Sequence, residues 1–303
     1  MTAEMNAGEL AKIGAKAFVS AEDVVFLRQK VFKDGIVSPG ELNVLFELGE
    51  RAPDGDREWP MFFEEAAADF YLREEEPQGY LTDAEFATLK ARVTRDGDGA
   101  SILELRLLIK LLETAIATPS AMAAFVADQL KRALLTKRLR KGLTKEDTAL
   151  VSRFVFARGG EANIAVTRTE AELLFDINDA VSGATSDPAW TEFFVKAISN
   201  HLMSHFSYAP QTREQAVRQH AFMSDHSVNV GGFFKRMVMG GFSGVKSDGK
   251  SLQARRNEER AHDAAIAEKI TPLEADWLAD RIGRDGRLME SEQALVDYMK
   301  KLG

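Results

Sequence analysis

Apolar and polar positions recur along the chain with a helical period, and one pattern opens four separate segments. "VSAEDVVFLRQKVFKDG" starts at Val19, "LTDAEFATLKARVTRDG" at Leu81, "LTKEDTALVSRFVFARG" at Leu143 and "ITPLEADWLADRIGRDG" at Ile270. Each reads apolar residue, Ser or Thr, then an acid three places on. The hydroxyls of Ser20, Thr82, Thr144 and Thr271 are placed to accept from the third helical N–H. Asp23, Glu85, Asp147 and Glu274 are placed to reach back to the cap N–H. Glu suits that return contact; the shorter Asp is expected to act mainly through the positive end of the helix. Leu27, Leu89, Val151 and Leu278 share one register, and Val31, Val93, Val155 and Ile282 follow four residues later on the same face. Gly35, Gly97, Gly159 and Gly286 then supply the left-handed residue that ends a helix at least cost.

The four caps lie 62, 62 and 127 residues apart, so the last gap is about twice the unit. A shared cap and core register at so long a period points to internal duplication. A second helix is expected after each Gly, starting "SPGE" at Ser38, "SILE" at Ser101 and "TRTE" at Thr167, while the fourth copy, "MESE", keeps Glu292 without the hydroxyl. Copies one and three agree further, "ELNVLFELGE" against "EAELLFDIND" and "WPMFFEEAAADFYL" against "WTEFFVKAISNHLM". No convincing period-two apolar run exists, so the expected fold is all-α. The layout is an N-terminal segment 1–18, a first helical lobe 19–142 with repeats 1 and 2, and a second lobe 143–303 with repeats 3 and 4, carrying an insert at 207–268.

Composition narrows the function classes. The 303 residues are 45% hydrophobic and 28% charged, which suits a folded chain with a core rather than a disordered one. A net charge of −8 argues against general nucleic-acid binding. With no cysteine, disulfides and thiolate chemistry are excluded. No apolar run approaches a membrane span and the N-terminus lacks a signal-like core, so a cytoplasmic location is expected.

The corner "KDGIVSPGEL" and its three counterparts resemble EF-hand loops and the turns of the all-helical TerB-like tellurite-resistance domains. That resemblance implies divalent-metal binding. An EF-hand loop needs oxygen ligands at positions 1, 3 and 5, Gly at 6 and Glu at 12. The first corner puts Lys30 and Phe32 at positions 1 and 3, with Asp34 at 5. The second, "RDGDGASILEL", offers Asp96 and Asp98, and the fourth offers Asp280, Asp285 and Glu292 around an apolar Ile282. A turn Gly and a capping acid account for the same residues without a metal.

Other motifs add competing chemistry. "GVKSDGKS" matches the Walker A string and would place Gly249, Lys250 and Ser251 at a nucleotide, but no sheet is expected to carry it. His201 and His205 have the spacing of a helical metal pair, with His220 and His226 as further ligands. The register puts His201 at the place of Phe70, which favours packing. "KRALLTKRLRKGLTK", residues 131–145, interleaves cations with Leu134, Leu135 and Leu139 as an amphipathic hinge helix would. The insert contains "GGFFKRMVMGGFSGVKSDGK", in which Phe233, Phe234, Met237, Met239 and Phe242 with Lys235 and Arg236 form a candidate docking element for a protein or an anionic membrane surface. No catalytic constellation emerges. The expected function is a non-enzymatic interaction or regulatory scaffold without a cofactor, with Ca²⁺ or Zn²⁺ response and nucleotide binding as alternatives.

Overall fold

The structure, a computed structural model, describes residues 10–31, 37–95, 97–138, 142–157, 165–204, 272–284 and 286–302. These residues are mostly helical, and the fold is all-α as expected. The chain divides into two compact units: residues 1–137 with 156–160, and residues 138–155 with 161–303.

The first unit runs through α1 (Ala21–Phe26), α2 (Pro39–Arg51), α3 (Glu58–Asp69), α4 (Asp83–Val93), α5 (Ile102–Thr114) and α6 (Ser120–Arg138). Single π-helical stretches, Leu27–Val31 and Phe70–Glu74, extend α1 and α3. Every expected cap in this unit closes as a reciprocal box: Ser20 with Asp23, Ser38 with Glu41, Thr82 with Glu85 and Ser101 with Glu104. The expectation for Asp needs correcting. The Ser20 N–H donates to Asp23 Oδ2 at 3.0 Å, so the shorter acid completes the return bond as well.

The core forms where α3 lies against α5. Phe46 and Trp59 meet Phe63 edge to face at 5.4 and 5.8 Å, and the buried Trp59 indole donates to the Ala52 carbonyl at 3.1 Å. α6 adds Met122, Val126, Leu130 and Leu134, a fully buried stripe at four-residue spacing. Burying side chains of this size contributes roughly 1.5–3 kcal/mol each before conformational entropy is charged against it.

One element was not expected from the pattern. Phe18–Val19 (β1) and Asp54–Gly55 (β2) form a parallel two-residue pair. It is too short to leave an alternating signature. Gly55 is required there, because a Cβ would stand 2.5 Å from the Val19 carbonyl oxygen. Asp56 locks the pair by donating its N–H to that carbonyl and accepting from the Ala21 N–H.

The second unit contains α7 (Lys145–Phe156, up to Val155), α8 (Arg168–Ala180), α9 (Pro188–Ser204), α10 (Pro272–Arg281) and α11 (Glu290–Leu302). α9 packs along α11. Thr144 with Asp147 and Thr167 with Glu170 cap α7 and α8. Phe175 meets Phe194 edge to face at 5.0 Å, and Trp190 lies 6.1 Å from Phe194. The Trp190 indole donates to Asn178 Oδ1 at 3.0 Å.

Candidate functional site

Metal binding at the corners would need converging oxygen ligands. At the second corner Asp98 is exposed, while Asp96 lies outside the described residues. The loop is held from α6: the buried Gln129 side chain accepts the Ala100 N–H at 3.0 Å, and Arg132 donates to the Gly97 carbonyl at 3.2 Å. Arg132 thus ties the turn at Gly97 to α6. This contact gives Arg132, in the basic stretch, a local job. Gly97 and Gly99 both take the left-handed conformation, and a Cβ on Gly99 would stand 2.7 Å from Gln129 Oε1.

At the fourth corner Glu292 is buried and accepts the N–H groups of Gly283 at 3.3 Å and Met289 at 3.0 Å. Its carboxylate closes the turn without a hydroxyl partner. Asp280 is exposed, and Asp285 lies outside the described residues. Among the described residues no three His, Cys, Asp or Glu side chains converge to hold a metal ion. The docking residues Phe233, Phe234, Lys235, Arg236, Met237, Met239 and Phe242 lie outside the described residues, as do His205, His220, His226, Gly249, Lys250 and Ser251.

His201 is described, and it sits in the core. Its Nδ1 is 2.8 Å from the Val166 carbonyl, and its ring meets Trp277 of α10 at 5.3 Å, edge to face. Trp277 is the hub of a polar cluster that pattern reading missed. Its indole donates to Glu172 Oε1 at 2.6 Å, Arg168 lies over its ring at 4.0 Å, and Phe175 packs its edge at 5.5 Å. One helical turn on, Arg281 is buried. It pairs with Asp176 at 2.8 Å, Glu172 at 3.4 Å and Asp179 at 3.7 Å, and its guanidinium covers Phe175.

Burial opposes ionisation of Glu172. Hydrogen bonds from Trp277 and Arg168 and the charge of Arg281 outweigh it and hold the carboxyl below its ordinary range. The first unit has a counterpart: Arg92 covers Phe46 at 4.3 Å and donates to Asn43 Oδ1. The signal was in the sequence, since Arg92 and Arg281 each precede the matched apolar residue, Val93 or Ile282.

The cluster stands at a telling place. His201 precedes and Trp277 follows the 207–268 insert in sequence, and their rings touch. α8 and α9, before it, are therefore tied to α10, after it. Comparison of the chain with protein-family models, with curated proteins and with solved structures finds no match.

Proposed function

We propose that this chain is a non-catalytic binding protein that carries its insert, residues 207–268, on a tied helical base and engages a protein partner through it. One observation carries the reading: the flanks of the stretch are tied to each other through His201, Trp277, Glu172 and Arg281. A base so fastened spends no further ordering entropy when the partner arrives. The composition of the stretch supports the same reading. It sets Phe233, Phe234, Met237, Met239 and Phe242 beside Lys235 and Arg236, the aromatic, Met and Arg types enriched in interface cores.

A photo-crosslinking amino acid at position 234, in the full chain in its native cells, tests the proposal. The expected result is a discrete protein adduct that disappears when Phe233, Met237 and Phe242 are changed to Ser. Adducts that persist unchanged in that triple variant would end the reading. Adducts to lipid alone would transfer it to an anionic membrane surface.

A further inference from the structure

The first unit contains a cleft between α3 and α5 with a cavity volume of about 440 Å³, within the range of small-molecule sites. Ala68 and Leu72 form its apolar floor, and Glu65, Asp69, Arg73 and Lys110 stand around it. The charges are not equivalent. Glu65 is paired with Arg28 at 3.1 Å, and Asp69 with Arg73 at 3.3 Å. Lys110 lines the cleft and has no ion-pair partner among the described residues. One uncompensated cation over an apolar floor favours an anion with an apolar body.

Backbone pairing fixes the Gly79 edge of the cleft. The Ile116 N–H donates to the Gly79 carbonyl at 2.7 Å, and the Leu81 N–H to the Ala117 carbonyl at 3.1 Å. Tyr80 and Ile116 remain exposed beside it, Ile116 by 70%. The second unit treats the matching place differently. Glu104 and Glu292 hold the same capping position on α5 and α11, so Lys110 and Tyr298 share a register; Trp59 and Trp190 likewise align Ala68 with Ser199. There Tyr298 is buried and lies against the Ser199 hydroxyl. Where one unit sets a buried phenol ring against its third helix, the other sets a lysine beside an open cleft.

We propose that the α3–α5 cleft binds a small aromatic carboxylate, its ring on Ala68 and Leu72 and its carboxylate on the Lys110 ammonium. This site is independent of the partner-binding reading above. The probes are phenylacetate and its neutral isostere phenylacetamide, titrated into the full chain with backbone amide shifts followed by NMR. Phenylacetate is expected to shift Gly79 and Thr114 saturably and to bind at least fivefold tighter than the amide. Lys110→Met should abolish that preference, and Lys110→Tyr should abolish both bindings by filling the cleft. Equal binding of the two probes, or shifts confined to other residues, would overturn the proposal, and so would a Lys110→Met chain that keeps the preference. The wild-type comparison decides even if a variant fails to fold.

Discussion

Glu172 shows how a single carboxylate ties this molecule to pH. Burial works against its ionised form, and the Trp277 indole, Arg168 and Arg281 more than compensate. Its pKa in the folded chain therefore lies below the ordinary value of 4.5. A lowered folded pKa means stability that is present above the unfolded value and lost as pH falls through the folded one. Asp23 in the first unit has the same sign. Burial opposes its charge, and the Ser20 N–H and Lys16 prevail. Denaturant midpoints measured from pH 6 downward should fall below about pH 4.5, the ordinary value for Glu. Glu172→Gln should lower the midpoint at pH 6 and flatten the slope below it. An unchanged slope in that variant would assign the acid sensitivity to other carboxylates. The effect should be modest, because the Glu172 side chain is about a third exposed and water screens it.

Helices entered and left the sequence with clear signals, and that is why the elements were legible. A hydroxyl, an acid three places on and a terminal Gly fix where a helix starts and stops before any tertiary contact exists, and Gly97 and Gly286 indeed take the left-handed form. What escaped was whatever depends on two distant helices meeting. The β1–β2 pair needs Val19 to find Asp56. The Arg281 cluster needs α10 to lie on α8. The cleft needs Lys110 to stand where the second unit has the ring of Tyr298. Asn178 is the sharpest case. It is fully buried and accepts from Trp190 and from the Ser291 hydroxyl at 2.5 Å, with its Nδ2 unpartnered among the described residues. The first unit places Gly49 and Leu103 at the same registers, and a Cβ on Gly49 would lie 3.5 Å from the Leu103 side chain. The two pairs solve one contact in two ways, polar with a side chain or apolar without one. Asn178→Gly should cost about 2–3 kcal/mol, from a stranded indole N–H and a helical Gly. Ser291→Leu should also destabilise, by crowding Asn178. Joined, the two should show a favourable coupling of about 1 kcal/mol or more in a double-mutant cycle by urea unfolding. Simple additivity would show that the registers match in sequence but not in contact.

At the scale of the molecule, the described residues form six helices in the first unit and five in the second, and the units differ in what joins the third helix of each to the next corner. In the first unit residues 74–81 make that connection, from the π-helical end of α3 to the Thr82 cap. In the second the same step takes residues 205–271. Among the described residues, α9 packs on α11, Arg281 ties α10 to α8, and His201 meets Trp277. These ties are made by residues outside the stretch, and the entropy of closing a chain segment grows only slowly with its length. A chain in which residues 205–270 are replaced by the sequence of residues 74–81 should therefore keep its helical circular dichroism. Its cooperative melt should move by no more than a few degrees, while the crosslinked adduct described above has no residue left to form from. Loss of the cooperative transition in this variant would mean that the stretch helps build the second unit rather than being presented by it, and the reading of the chain as a base carrying a separable binding element would fail at its foundation.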